Sequence, residues 1–76
     1  MKKYKISDTF YYAQTRDRVG GTIRTDVFLQ ENGFLKAYSS YWQDQDEEIV
    51  GYAESYDDEQ AVLLSMKDLR KEWIEE

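Results

Sequence analysis

The side chains of this chain that could do chemistry are mainly carboxylates. Asp44, Asp46 and Glu48 alternate as the first ligands of a calcium-binding loop do, and their oxygens would suit calcium or magnesium. The rest of such a loop is missing, because Ile49 stands where a sharply turning glycine is needed and Ser55 stands where a bidentate acid is needed. We therefore expect no metal site and no other cofactor.

A second acidic group, Asp57, Asp58 and Glu59, follows residues 49–56. Eight strand residues at about 3.3 Å each place the two groups some 25 Å apart, so they cannot share one ion.

Carboxylate pairs catalyse glycoside hydrolysis when they face each other about 5 to 9.5 Å apart, and nothing in this spacing indicates such a pair. The chain has no histidine and no cysteine, which removes the commonest general base and the commonest nucleophile pairs. We expect no catalytic residue and no enzyme activity.

The length of 76 residues predicts a single domain, residues 1–76, with one small core. Its formal charge is −6, and the charge is unevenly spread: residues 1–24 sum to +4, residues 25–60 to −9 and residues 61–76 to −1. The middle of the chain is therefore an acidic block. The absence of cysteine, of an export signal and of a membrane span favours a cytoplasmic protein with no membrane partner.

The elements that must position these side chains centre on residues 22–42, where two alternating segments meet at Asn32-Gly33. This dipeptide is typical of a two-residue hairpin turn, because both positions need positive φ. The cross-strand pairs would then be Leu29 with Lys36, Val27 with Tyr38, Thr25 with Ser40 and Ile23 with Trp42. One face of the hairpin is then mostly apolar, and a slip of one residue would invert the arrangement.

Alternation predicts one long or two short strands over residues 3–15, a second turn at Gly20-Gly21 and a further strand over residues 49–56. A helix starts after Asp57 or Asp58 acting as N-cap. Its apolar stripe should cover the sheet; the stripe consists of Val62, Met66, Leu69 and Trp73, with Leu63 and Ile74 on its flank. We expect an α+β fold, an antiparallel three- or four-stranded β-meander with one C-terminal α-helix packed on one face.

Aromatic residues are numerous, with seven tyrosines, three phenylalanines and two tryptophans. Tyr11, Phe28 and Tyr41 are expected on the sheet face away from the helix, where aromatic residues beside charge form either a protein-interaction hot spot or a base-stacking platform. Direct nucleic-acid binding is disfavoured, because lysine and arginine are scattered along the chain.

Three strands followed by a helix are also similar in topology to the second half of a double-stranded RNA-binding domain. Residues 49–69 would take the place of its last strand and helix. The basic helix start that such domains use on phosphates is replaced here by Asp57, Asp58 and Glu59, so the binding function does not carry over.

In size, acidity and compactness the chain resembles the small phage-encoded inhibitors of host defence, of the anti-CRISPR and anti-restriction type. The resemblance implies an inhibitor that occupies a nucleic-acid-binding partner protein sterically or by DNA mimicry in the cytoplasm of a host cell. The partner-binding residues would be Asp44, Asp46, Glu47, Glu48, Glu54, Asp57, Asp58, Glu59, Tyr41 and Phe28. The alternative is a homo-oligomeric assembly module or a regulatory interaction module without mimicry, and formation of a homodimer stays open.

Overall fold

The computed structural model describes residues 2–16, 21–42 and 49–74, with side chains up to residue 72. Five strands form one antiparallel sheet in the order of the chain: β1 (Lys2–Ser7), β2 (Phe10–Arg16), β3 (Thr22–Leu29), β4 (Leu35–Tyr41) and β5 (Gly51–Ser55). The helix α1 (Asp58–Ile74) follows and packs against β3, β4 and β5. The predicted α+β meander with one C-terminal helix is confirmed, but the sheet has five strands instead of three or four.

The additional strand arises at the N-terminus, where residues 3–15 form two strands. Asp8 and Thr9 make a tight turn between β1 and β2, and the Thr9 amide donates a hydrogen bond to the Ser7 hydroxyl at 3.3 Å. The register shifts between Lys5 and Ser7, which marks a β-bulge next to this turn. Polar residues that look like an interruption of one strand are therefore the reversal between two.

The central hairpin turns through three residues and not through two. The Gln30 amide donates to the Phe34 carbonyl at 2.9 Å, and the Gly33 amide donates to the Gln30 carbonyl at 3.1 Å. Gly33 has a φ of 89°, the left-handed conformation that closes a three-residue loop with a bulge. The Asn32 side chain accepts a hydrogen bond from the Phe34 amide at 3.1 Å, so Asn32 shapes the loop through its side chain.

The predicted register is therefore wrong by one residue, and this inverts β4. The observed pairs are Leu29 with Leu35, Val27 with Ala37, Thr25 with Ser39 and Ile23 with Tyr41. On the helix side of β4 lie Leu35, Ala37, Ser39 and Tyr41, whereas Lys36 and Tyr38 face away from the helix. The face predicted for β3 is confirmed, since Ile23, Thr25 and Val27 are buried.

The core lies between α1 and the sheet. Its buried members are Ile23, Val27, Ala37, Ala61, Val62, Met66 and Leu69. Asp57 caps the helix as predicted, because its carboxylate accepts the Glu59 amide at 3.1 Å and its carbonyl accepts the Ala61 amide at 2.9 Å. The predicted stripe is confirmed at Val62, Met66 and Leu69; the Trp73 and Ile74 side chains lie outside the described residues.

The helix packs on the sheet through the small residues Ala61 and Ser65 as well as through Val62, Met66 and Leu69. Its buried stripe is therefore rotated toward Ala61 and Ser65 relative to the predicted one. Leu63, predicted on the flank of the stripe, is instead 58% exposed because the rotation carries it away from the sheet. The reason is the close approach at Gly51. A Cβ built there would lie 2.8 Å from the Leu69 Cα and still closer to backbone atoms of Ser65 and Leu69.

A chain of buried hydroxyl groups crosses the same interface. The Ser65 hydroxyl donates to the Val62 carbonyl at 2.9 Å, which uses its single hydrogen. The Ser39 hydroxyl, 2.7 Å away, must therefore donate to Ser65, and the Thr25 hydroxyl, 2.7 Å from Ser39, must donate to Ser39. The chain satisfies all three hydroxyl hydrogens inside the core, and it links β3, β4 and α1.

Gly51→Ala is expected to lower the free energy of unfolding by about 3 kcal/mol, because the new methyl group meets helix backbone that cannot move aside alone. Urea unfolding measures the loss. Gly33→Ala is the matched control: its Cβ would meet Tyr56 at an ordinary 3.6 Å, so only the positive φ costs stability, about 1 kcal/mol. Equal losses in the two variants would contradict the close approach at Gly51.

Ser39→Ala is expected to cost about 1 to 3 kcal/mol of unfolding free energy, because the Thr25 hydroxyl loses its acceptor in a buried site. The triple variant Thr25→Val, Ser39→Ala, Ser65→Ala removes every member of the hydroxyl chain. It should lose less stability than the sum of the three single variants, since no hydroxyl is left unpaired. Additive losses by urea unfolding would rule out the coupled chain.

Candidate functional site

The face of the sheet turned away from α1 carries six aromatic side chains. Strand pairing brings them together, because Tyr4 faces Tyr12, Phe10 faces Phe28 and Tyr38 faces Tyr52 across neighbouring strands. We call this surface the aromatic face; its residues are Tyr4, Phe10, Tyr12, Phe28, Tyr38 and Tyr52. No element of the described chain packs on it.

The rings contact one another across the strands. Tyr4 and Tyr12 stack with centroids 4.8 Å apart, and Phe10 and Phe28 stack at 4.6 Å with an interplanar angle of 12°. Phe28 meets Tyr38 edge-on at 5.9 Å, which joins the second pair to β4. Each stacked ring has one face covered by its partner, so the aromatic face presents mostly ring edges to solvent.

The last contact of the band lies on the edge strand β5, where the Tyr38 and Tyr52 centroids are 4.9 Å apart. The Tyr52 hydroxyl donates a hydrogen bond to the Glu54 carboxylate, and this bond raises the pKa of Tyr52 to about 12. Tyr4, Phe28, Tyr38 and Tyr52 are each 36% to 40% exposed. The band therefore runs from one edge of the sheet to the other and is half-open to solvent along its length.

Charged residues surround the rings. The Arg24 guanidinium lies 4.4 Å from the Tyr12 ring centroid and pairs with Asp26 at 2.9 Å. By register, the charged residues on this side of the sheet are Lys2, Arg16, Arg24, Lys36, Asp26 and Glu54. Four basic and two acidic residues sum to +2, whereas the other charged residues of the described chain, five basic and seven acidic, sum to −2. Among the described residues, the side of the sheet that carries the aromatic face is therefore the more basic one.

Two of the residues predicted to bind a partner lie on this surface. Phe28 is central in the aromatic band, and Glu54 lies beside it, bonded to Tyr52. Tyr41 and Tyr11 were expected on this side but lie on the helix side, packed against the core. Tyr41 lies on the helix side because the register of β4 is shifted by one residue. Tyr11 lies there because it pairs with the buried Val27.

The acidic residues at the start of α1 make internal contacts. Asp57 is the N-cap, and Asp58 accepts hydrogen bonds from Lys3 and from the Tyr11 hydroxyl, both at 3.2 Å. Glu59 is exposed in the first turn of the helix. The other predicted residues, Asp44, Asp46, Glu47 and Glu48, lie outside the described residues.

The contacts of Asp58 shift two pKa values, that of Asp58 itself and that of Tyr11. The Lys3 ammonium, aided by the Glu59 amide and the Tyr11 hydroxyl, holds the pKa of Asp58 below its ordinary value of 3.8 against a smaller opposing effect of burial. Burial, followed by the charge and hydrogen bond of Asp58, raises the pKa of Tyr11 to about 12. Both shifts keep the groups in the form that makes the contact, so the three residues form a structural link between β1, β2 and α1.

Sequence reasoning missed five of the six members of the aromatic face, namely Tyr4, Phe10, Tyr12, Tyr38 and Tyr52. The alternation in residues 4–12 puts Tyr4 and Tyr12 on one side of their strands, and Tyr52 and Glu54 share a side in the same way. Only the register of β3 with β4 shows that Phe28 and Tyr38 share that side. The predicted register placed Tyr38 with the core residues instead.

The described residues contain no group of three or more acidic residues placed to hold a metal ion. Within the same residues no helix has the length and apolar character to cross a bilayer. The described chain is thus an α+β domain with a half-open aromatic sheet face. Comparison with protein-family models, curated proteins and solved structures finds no match.

Asp58→Asn is expected to lower the free energy of unfolding at pH 7 by less than about 1 kcal/mol, because Lys3 and Asp58 are both partly exposed. A lowered folded-state pKa contributes stability that is present above 3.8 and is lost as the pH falls through the folded-state value. The difference between wild type and variant should therefore vanish in acid. Asp8→Asn is the control, since the Asp8 carboxylate is 95% exposed; a loss that persists in acid would contradict the charge contact.

Proposed function

We propose that this chain is a non-catalytic protein-binding module that covers part of a partner's surface with its aromatic face. The observation that supports this proposal is the aromatic band on the open side of the sheet. An antiparallel sheet leaves one face in water when that face is polar, and here it is lined with six aromatic side chains.

The composition of the face suits a protein interface. Tyrosine and arginine are enriched among the residues that dominate binding energy, because each joins a broad apolar body to a polar group that keeps a partner. Tyr38 and Tyr52 have this character, and Arg24 is held in place by Tyr12 and Asp26. The stacked rings are also ordered before binding, which reduces the entropy that an interface must lose.

Single-stranded nucleic acid is the less favoured ligand of this face. Base stacking needs free ring faces, and cross-strand stacking already occupies one face of each ring in the Tyr4–Tyr12 and Phe10–Phe28 pairs. The net charge of −6 also opposes the approach of a phosphate backbone. A protein partner requires neither free ring faces nor a basic molecule.

We further propose that binding of this chain to a partner inhibits that partner, and that the partner is a protein that binds nucleic acid. DNA mimicry needs unpaired carboxylates, and among the described acidic residues Asp57 and Asp58 already serve the helix cap and the Lys3 contact. A mimic would therefore depend on residues 44–48 and on Glu59. Steric occupation through the aromatic face requires none of these carboxylates.

Capture of partners by the tagged protein from nuclease-treated lysate of its source cell tests the proposal. The double variant Phe28→Ser, Tyr38→Ser should lose capture at least about tenfold, because hot-spot residues contribute about 2 kcal/mol or more. Leu63→Ser is the control, since Leu63 is 58% exposed on the helix and lies off the aromatic face. Thermal unfolding of each variant shows that the fold is kept.

Three outcomes separate the alternatives. Capture that survives the double variant would reject the aromatic face. Loss of capture after reversal of Asp46, Glu47 and Glu48 to lysine, with release by salt, would favour the DNA mimic. Recovery of only the tagged chain, with a mass in solution that rises with concentration, would favour a homo-oligomeric module.

A further inference from the structure

The two edges of the sheet differ in how their backbone groups are satisfied. At the β5 edge the outward Tyr52 amide donates a hydrogen bond to the Asp68 carboxylate of α1 at 3.0 Å, so the helix satisfies one backbone group of this edge. At the opposite edge the backbone of β1 neighbours only that of β2 among the described residues, and all six residues of β1 are exposed. An uncovered edge strand is a template for pairing with another extended chain.

The hydrogen bonds of the sheet identify which groups of β1 face this open edge. The Leu29 amide donates to the Thr9 carbonyl at 2.8 Å, so the odd-numbered residues of β2 bond to β3 and the even-numbered ones bond to β1. Tyr12 and Gln14 therefore bond to Tyr4 and Lys2. It follows that Lys3 and Lys5 direct their backbone N–H and C=O groups outward.

The side chains along this edge alternate between two environments. Lys3 and Lys5 lie on the helix side, where Lys3 contacts Asp58 at 3.2 Å and Lys5 contacts Asp8 at 3.3 Å. Tyr4 lies on the opposite side, with one ring face on Tyr12 and the other turned toward the open edge. A strand added here would meet, on one side, two exposed ammonium groups that each also contact a carboxylate. On the other side it would meet the Tyr4 ring.

A groove of about 370 Å³ lies next to this edge on the helix side. It exists because α1 covers β3 to β5 and leaves β1 and β2 uncovered. Its lining includes the apolar side chains of Val27, Leu29 and Leu35. It also includes Tyr11, the lysines Lys3 and Lys5, and the carboxylates Asp8 and Asp58. The groove has room for one or two side chains that project from an added strand.

We propose that β1 accepts an extended segment of a partner protein in which acidic residues alternate with aromatic or aliphatic ones. Acidic side chains would pair with Lys3 and Lys5, and aromatic side chains would stack beside Tyr4. The backbone groups of Lys3 and Lys5 would supply the ladder hydrogen bonds of strand addition. This inference adds an edge contact to the proposed protein binding. It rests on the backbone and the lysines of β1, and it shares only Tyr4 with the aromatic face.

A second copy of this chain fits the edge poorly. Two-fold antiparallel pairing of β1 with itself keeps residues of equal parity opposite each other, so a pairing centred on Tyr4 places Lys3 against Lys5 of the other copy. Centring on either lysine places that lysine against itself. Like charges directly opposite each other destabilise a strand pair, whereas an acidic strand reverses the sign of each contact.

Titration of isotope-labelled protein with a synthetic peptide of alternating glutamate and tyrosine tests the proposal by nuclear magnetic resonance. The amide protons of Lys3 and Lys5 should exchange with solvent at least about tenfold more slowly in the saturated complex, because they enter ladder hydrogen bonds. A peptide with lysine in place of glutamate should give no such protection. Protection by both peptides, by neither, or by an oligothymidylate would overturn the proposal.

Variants separate the backbone contribution from the charge contribution. Lys5→Pro removes an outward N–H at a position where an edge strand tolerates proline, and it should weaken peptide binding about tenfold. Lys5→Gln keeps the N–H and should weaken binding less, whereas Lys2→Gln, which removes a charge from the opposite side, should leave it unchanged. Equal binding by wild type and Lys5→Pro, with the fold verified by thermal unfolding, would also overturn the proposal.

The aromatic-face variant Phe28→Ser, Tyr38→Ser distinguishes this inference from the proposed function. It should bind the alternating peptide as the wild type does, since both residues lie away from β1. Loss of peptide binding in this variant would move the peptide to the aromatic face and would reject strand addition at β1.

Discussion

The close approach of α1 to the sheet at Gly51 is the constraint on which the rest of this structure depends. Only a residue without a side chain at Gly51 lets the Ser65 and Leu69 backbone reach the sheet. Because the helix comes this close, the Ser65 hydroxyl reaches Ser39 and the buried hydroxyl chain forms. Polar groups that would be costly in a small core are thereby paired, and the helix is held at one position on the sheet.

That position decides which surfaces are free. The helix crosses β3, β4 and β5, and its Asp68 accepts a hydrogen bond from an outward amide of the β5 edge. The strands β1 and β2 extend beyond it, tied to it at their helix side through Lys3, Tyr11 and Asp58. One helix cannot cover five strands, so the described part of the chain keeps the β1 edge, the groove beside it and the aromatic face open. The two proposed contacts, one at the aromatic face and one at the β1 edge, use surfaces that the helix leaves uncovered.

Much of the fold could be predicted from the sequence, because alternation and helix capping are local signals. The helix cap at Asp57 or Asp58, the stripe of Val62, Met66 and Leu69, and the buried side of β3 were predicted correctly, and the structure selects Asp57 as the cap. The register of β3 with β4 could not be predicted in this way, since Asn-Gly occurs both in two-residue loops and in three-residue loops with glycine in the last position. The choice depends on tertiary contacts, and here the Ser39 hydroxyl chain requires the longer loop.

The candidate site was harder to predict for the same reason. Aromatic residues were expected to matter, but a shift of one residue exchanged Tyr41 for Tyr38 and hid the band to which Phe28 belongs. The acidic residues stand out in the sequence because they are consecutive, yet Asp57 and Asp58 stabilise the fold itself. The number of carboxylates in the sequence therefore overstates how many are free to bind a partner, because some of them form the helix cap and the contact with Lys3. The tyrosines attract less attention in the sequence, and the sheet gathers them onto one open surface.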